Sequence, residues 1–237
     1  MIKQFLFVVS VSMYGQILAQ QDSASCIGTI LTYNKKMVQM GKPKKGQTYL
    51  LDYRQEMNYW DSNTQNVDVN VKYYASESQV HVISKDLKSY MDDTYLFTVI
   101  EGQKKVIVTR NPSSETDPSA ISNFLKNQEA IIKKCTVLEC TIDKSKGIRK
   151  ISLDGTNTEI SGFEAEELTY FFKHSTGDLK KTITTYSRRY PVRRMSITIN
   201  EFNTNANYKF PKKLYDKFLD EYGKLKGAYK GYQLIIE

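Results

Sequence analysis

Among 237 residues there are two histidines, one tryptophan, three cysteines and five prolines. Each scarcity excludes something. His81 and His174 sit in Gln79-Val80-His81-Val82 and Phe172-Lys173-His174-Ser175, with no ligand partner at metal spacing, so both are expected at the surface or a strand edge. No Gly-x-Ser-x-Gly elbow occurs, which removes the commonest hydrolase arrangement. Glu164 and Glu166 fall on one face of a strand with Glu167 beside them, a spacing that fits a solvated strand face better than glycosidase carboxylates. No low-complexity linker divides the chain. After the first residues no apolar stretch approaches the roughly 20 residues a membrane-spanning helix needs.

The amino terminus is the one segment that reads as an address. Lys3 supplies a positive start, Phe5 to Leu18 is mostly apolar, and Ile17-Leu18-Ala19 ends on a small residue, so residues 1–19 are expected to be an export signal cleaved after Ala19. Ser10, Ser12, Gly15 and Gln16 interrupt the stretch and argue against a retained anchor. Cys26 lacks the leucine three residues before it that a lipoprotein signal carries. The expected location is therefore the periplasm, possible association with the outer membrane included. An oxidising compartment permits disulfides. An extended Thr136-Val137-Leu138-Glu139 would hold Cys135 and Cys140 too far apart to bridge, which leaves Cys26 with one of that pair as the other possibility. An odd count leaves one thiol over.

What the chain has in quantity is tyrosine and alternation. Seventeen tyrosines, 40% hydrophobic residues and 12% aromatics are enough for a core, and tyrosine suits half-buried strand positions where the ring packs and the hydroxyl stays wet. In residues 49–59, Tyr49, Leu51, Tyr53, Met57 and Tyr59 alternate with Asp52, Arg54, Glu56 and Asn58, the period of a strand with one apolar face. Similar runs are expected at about 48–60, 67–75, 79–84, 88–91, 94–100 and 104–109, and again at 136–142, 148–154, 164–173, 179–190 and 193–203. Short turns join them into antiparallel meanders. Helices are expected over 25–40, from Asp117-Pro118 towards Lys134, with Ile121, Phe124 and Leu125 on one face, and from Pro211 through Leu214, Tyr215, Phe218, Leu219 and Tyr222. Leu234-Ile235-Ile236 closes the chain as a small strand or apolar tail. The predicted class is α+β and β-rich: a large curved antiparallel sheet, an unclosed half-barrel, with helices covering its concave side.

This order resembles the periplasmic outer-membrane lipoprotein carrier and receptor superfamily, the LolA-like fold. The residues that carry the resemblance are the helix 26–40, the paired strands Thr48 to Trp60 and Val67 to Tyr74, the Asp117-Pro118 helix, the run Ile148-Arg149-Lys150-Ile151-Ser152-Leu153, and the hairpins from Leu168 to Asn205. It covers about 26–211, so the expected organisation is a signal over 1–19, a LolA-like domain over 20–211 and a carboxy-terminal helix and tail over 212–237. The resemblance implies a cavity that accepts acyl chains of lipids or lipoproteins.

The candidate apolar positions are Tyr49, Leu51, Tyr53, Met57 and Tyr59; Tyr95, Phe97 and Val99; Leu168, Tyr170 and Phe172; and Met195, Ile197 and Ile199. Any one of them could be plain core. Their summed face exceeds what two or three amphipathic helices cover, so the surplus calls for a ligand, a partner or sheet closure. The formal charge of +8 is spread, with clusters at Lys42-Lys44-Lys45, Arg188-Arg189-Arg193-Arg194 and Lys212-Lys213 that could meet an anionic head group. Export argues against nucleic acid. The sequence thus predicts a non-enzymatic binder of a lipid, acyl chain or lipoprotein in outer-membrane lipoprotein trafficking or envelope maintenance, with no cofactor or metal. The alternative is an envelope or secretion-machinery component docking a protein partner through its tail.

Overall fold

The computed structural model describes residues 23–110, 129–156, 159–160 and 163–237. The expected signal and most of the expected 117–134 helix lie outside the described residues; residues 129–132 are helical. The chain opens with helix α1 (Ser23–Met40), then β1 (Tyr49–Tyr59), β2 (Val67–Ala75), β3 (Val80–Ile83), β4 (Leu87–Met91), β5 (Tyr95–Ile100) and β6 (Lys105–Arg110). A second series follows: β7 (Thr136–Asp143), β8 (Ile148–Asp154), the short β9 (Glu159–Ile160), β10 (Phe163–Lys173), β11 (Leu179–Tyr186) and β12 (Val192–Asn203). Helix α2 (Leu214–Phe218) and β13 (Gln233–Ile236) end it.

These strands form one unclosed sheet in the order β13-β6-β5-β4-β3-β2-β1-β12-β11-β10-β8-β7, with β9 paired to β10. Each series is a meander joined by short turns, and the long antiparallel β1–β12 ladder fuses the two. Among the described residues the one parallel pairing is β13 on β6. The β10–β11 turn closes on Gly177, whose φ of +69° is the left-handed conformation that glycine adopts without Cβ strain. Gly155, where β8 ends, is needed for a different reason: a Cβ there would come within 2.4 Å of the Ala165 carbonyl oxygen.

Pairing carries side-chain direction across a sheet, so the ladders say which face each residue shares. Leu50 pairs with Tyr74, Tyr74 with His81, His81 with Tyr90, Tyr90 with Phe97, and Phe97 with Val108. Gln55 pairs with Ile197, Ile197 with Thr182, Thr182 with Tyr170, Tyr170 with Ile151, and Ile151 with Cys140. Leu50 and Gln55 are an odd number of residues apart on a β1–β2 ladder without a bulge, so the two series lie on opposite faces.

Each face has its own core, at opposite ends of the sheet. On the Gln55 face, α1 brings Cys26 and Ile30 onto Ile151, Leu153, Leu168 and Phe172, with Ile132 and Cys135 completing the cluster. Cys26 and Cys140 form a disulfide, their Cα atoms 6.3 Å apart, which resolves the cysteine pairing and leaves Cys135 as a buried thiol. On the Leu50 face, Leu214, Phe218 and Leu219 pack on Tyr90, Phe97, Val99, Val106 and Val108. The last helix is shorter than expected at both ends: α2 opens at Leu214 instead of Pro211 and stops at Phe218, and Tyr222 is 77% exposed.

Candidate ligand-binding face

Between the two cores, the Gln55 face of the central strands is built from three cross-strand rows. Val71, Tyr53 and Ile199 form the first, Val69, Gln55 and Ile197 the second, and Val67, Met57 and Met195 the third. Period-two alternation puts the apolar residue of each β1, β2 and β12 pair on this side, and β-branched and aromatic residues fit such a pleated surface. None of these side chains belongs to either hydrophobic cluster. Val71 is buried among its neighbours, while Tyr53, Met57, Val69, Ile197 and Ile199 stay half-exposed. The Gln55 amide, the one polar group in the middle row, reaches the Met195 sulfur at 3.8 Å.

The reverse side of the same strands is polar. Arg54 forks onto Asp68, with Nε and Nη2 at 2.7 and 2.6 Å from its two carboxylate oxygens, and that bond holds the Asp68 carboxyl below its ordinary range. Ser196 donates to Glu56 at 3.0 Å and Asn200 to Asp52 at 2.8 Å. The central sheet therefore has one wet face with its groups paired and one apolar face. On the apolar side burial pushes the Tyr53 and Tyr73 phenols up from their ordinary pKa, so both stay neutral.

The structure divides the fourteen sequence-predicted positions. Tyr49, Leu51, Tyr53, Met57, Tyr59, Met195, Ile197 and Ile199 share the central apolar face through the β1 and β12 ladders. Tyr49 marks its α1 end, its hydroxyl 3.4 Å from the Met40 carbonyl and its ring edge-on to Phe202. Leu168, Tyr170 and Phe172 lie on the same face but serve as core around α1. Tyr95, Phe97 and Val99 lie on the opposite face and pack under the carboxy-terminal segment. One continuous trough through all fourteen is thus corrected: the antiparallel registers place the β5 trio on the other side of the sheet. Sequence reasoning left out Val67, Val69, Val71 and Tyr73 of β2. The alternation Val67-Asp68-Val69-Asn70-Val71 was the signal that could have found them.

The histidines differ from expectation as well. His81 is fully buried rather than at an edge. Its Nδ1 shares a hydrogen bond of 2.9 Å with the Tyr208 hydroxyl, its ring meets Tyr90 and Phe210, and burial, with the charge of Lys217, lowers its pKa to about 4. His174 is exposed in the β10–β11 turn. Among the described residues no three His, Cys, Asp or Glu groups gather as metal ligands, and Glu166 points into solvent. The basic cluster at the β11–β12 turn has an aromatic centre, with the Arg188 and Arg193 guanidinium carbons 5.3 and 5.9 Å from the Trp60 ring centre.

No family model matches the chain, and comparison with curated proteins finds no match. Solved structures similar to it include an uncharacterized conserved protein from Thermus thermophilus, at 7% identity over 92% of this chain and 100% of that one, with a TM-score of 0.43. LprF from Mycobacterium bovis is 13% identical over 79% and 96% of the two chains, with a TM-score of 0.41. A LolA superfamily protein from Nitrosomonas europaea is 8% identical over 78% and 94%, with a TM-score of 0.29.

Proposed function

We propose that this chain is an exported, non-enzymatic protein that binds an acyl chain of a lipid or lipoprotein on the central apolar face, in outer-membrane lipoprotein trafficking or envelope maintenance. One observation carries this: the three rows centred on Tyr53, Gln55 and Met57 are apolar, half-exposed and outside both cores, while the reverse face is a paired polar surface. An alkyl chain lying along them gains about 0.8 kcal/mol per buried methylene, so eight methylenes contribute about 6 kcal/mol before association costs. The neutral tyrosine hydroxyls tolerate such a guest, which presents no polar group that must be matched.

The alternative, partner docking through the tail, has less to stand on. Leu214, Phe218 and Leu219 are buried and β13 is stitched to β6, so the aromatic and leucine face of that tail, Tyr222 excepted, is engaged within the chain.

The test is native mass spectrometry of protein purified without detergent, with displacement of a fluorescent fatty acid as a second measure. A bound acyl species, and loss of probe binding in Ile197→Asp at unchanged circular dichroism, is the expected result. Protein that carries no such mass and does not bind the probe overturns the proposal.

A further inference from the structure

Away from the central rows, α1 and the β10–β11 turn flank a half-open cavity of about 400 Å³ lined by Thr29, Thr32 and Lys36 of α1, by Arg149 of β8, and by Lys173 and Gly177. Phe172 is its apolar wall. Arg149 Nη1 donates to Thr29 Oγ1 at 2.6 Å, and the Thr29 hydroxyl in turn donates to the Ser25 carbonyl at 3.1 Å. That chain of bonds fixes the guanidinium plane. Arg149 Nε is buried and has no partner among the described residues, and no carboxylate there forms an ion pair with Arg149.

A guanidinium that no carboxylate neutralises is costly to bury, and Arg149 Nη2, the nitrogen that neither Thr29 nor burial takes up, suits an oxygen of a carboxylate or phosphate. The nearby carboxylate is already used. Asp178 accepts from Lys36 Nζ at 2.9 Å and from Thr176 at 2.7 Å, and these bonds hold it below its ordinary range. Around the cavity the fixed charges are therefore Arg149, Lys173 and a Lys36 shared with Asp178, an excess of positive charge beside the Thr32 hydroxyl. The volume exceeds what a bare ion fills and sits at the small end of ligand cavities.

We infer that this cavity binds a small oxyanion, a phosphate or carboxylate group carrying a compact substituent, with the Arg149 guanidinium as its anchor and Thr32 and Lys173 as flanking donors. The site stands on its own geometry, apart from the acyl-binding face.

Calorimetric titration of the folded protein with inorganic phosphate and with dodecyl phosphate tests it. The expected result is binding that weakens roughly tenfold or more in Arg149→Gln, the loss of a charge-assisted bond, with Arg149→Lys in between. Equal affinity for the two probes identifies a free anion as the ligand; a preference of roughly tenfold or more for dodecyl phosphate, the gain from burying one or two methylenes and beyond, identifies a lipid head group. Should Arg149→Gln fail to fold, amide shifts in the wild-type protein decide the matter: phosphate must move Gly28, Thr29 and Gly177. Binding unchanged in a folded Arg149→Gln, no binding of either probe at millimolar concentration, or no shift at those amides overturns the inference. Dodecanol, which has no anion, reports on the central face alone, so its binding and the effect of Ile197→Asp on it separate failure there from failure here.

Discussion

The two ends of the sheet are closed by different chemistry on opposite faces. At the β7–β8–β10 end a long helix from the amino terminus lies on mainly aliphatic residues and Phe172 and is tied by a disulfide across 114 residues of chain. At the β4–β5–β6 end there is no covalent tie, and closure falls to rings. Phe218 stacks on Phe97 with centroids 4.4 Å apart and meets Tyr90 and Tyr229, while Tyr208 stacks on Tyr74. Polar clips hold this segment: Gln79 Nε2 donates to the Pro211 carbonyl at 2.7 Å, and Tyr232 donates to Glu101. The difference teaches that a helix arriving before its strands needs a tie to a distant partner, whereas a tail arriving last can be zipped on by β13. It also leaves the central strands outside both closures.

Breaking the tie gives the largest expected effect. Closing a loop of more than a hundred residues restricts the unfolded chain by about 4–5 kcal/mol in the chain-entropy model. The double variant Cys26→Ser/Cys140→Ser, or the reduced wild type, should lose stability of that order in urea denaturation. Hydrogen exchange should then show α1 and β7 opening first, with β5 and β6 still protected. Uniform loss of protection across both ends would erase the distinction between them.

The ring-closed end should instead answer to acid. His81 is buried neutral, with its pKa lowered to about 4 from an ordinary 6.5. The groups packed around it are the Tyr208 and Tyr90 hydroxyl-bearing rings, Phe210 and the Lys217 ammonium, which lies 3.8 Å from the Tyr90 ring centre. No carboxylate among the causes of the shift rewards protonation. A lowered folded-state pKa means the unfolded chain binds the proton more readily, so this contribution is complete above pH 6.5 and is lost as pH falls towards 4. The full shift corresponds to about 3 kcal/mol. Urea midpoints of wild type and His81→Gln between pH 7 and pH 4.5 should converge as pH falls, because the variant lacks this slope. Parallel slopes would mean that His81 is not what makes this end acid-sensitive.

Much of this architecture is legible in period-two alternation. The hairpins from Tyr49 to Arg110 and from Thr136 to Asn203 follow from runs of alternating residues and short turns, and Ser23–Met40 is helical as its apolar spacing predicts. Which face each strand turns inward is not legible strand by strand. Phe97 and Ile197 each sit in an apolar-rich strand run, and only the registers across β2, β3 and β4 put them on opposite sides. His81 escapes for a related reason: Val80-His81-Val82 reads as a polar residue between two apolar ones, yet the tail that buries it, Tyr208 to Phe218, is more than a hundred residues away. Of the candidate face, the β1 and β12 contributions are readable from local pattern. The role of Phe172 as core instead of ligand contact depends on where α1 lands.

The smallest expected effect separates the tie from its neighbourhood. Besides the disulfide, its core packing and the Arg149–Thr29 and Tyr49–Met40 hydrogen bonds, α1 is joined to the rest of the chain by the Lys36–Asp178 ion pair at 2.9 Å, whose side chains are 57% and 46% exposed. Exposed pairs spend most of their attraction on solvent screening and on ordering a long side chain, and contribute about 0–1 kcal/mol. Lys36→Gln should therefore shift the urea midpoint by the equivalent of less than about 0.5 kcal/mol, and molar salt should remove even that difference. The same substitution frees Asp178 beside the oxyanion cavity, so phosphate affinity should fall although stability does not. A loss of stability comparable to that of the cysteine variant would mean that α1 is held by charge, and that the two ends of the sheet are closed more alike than their residues suggest.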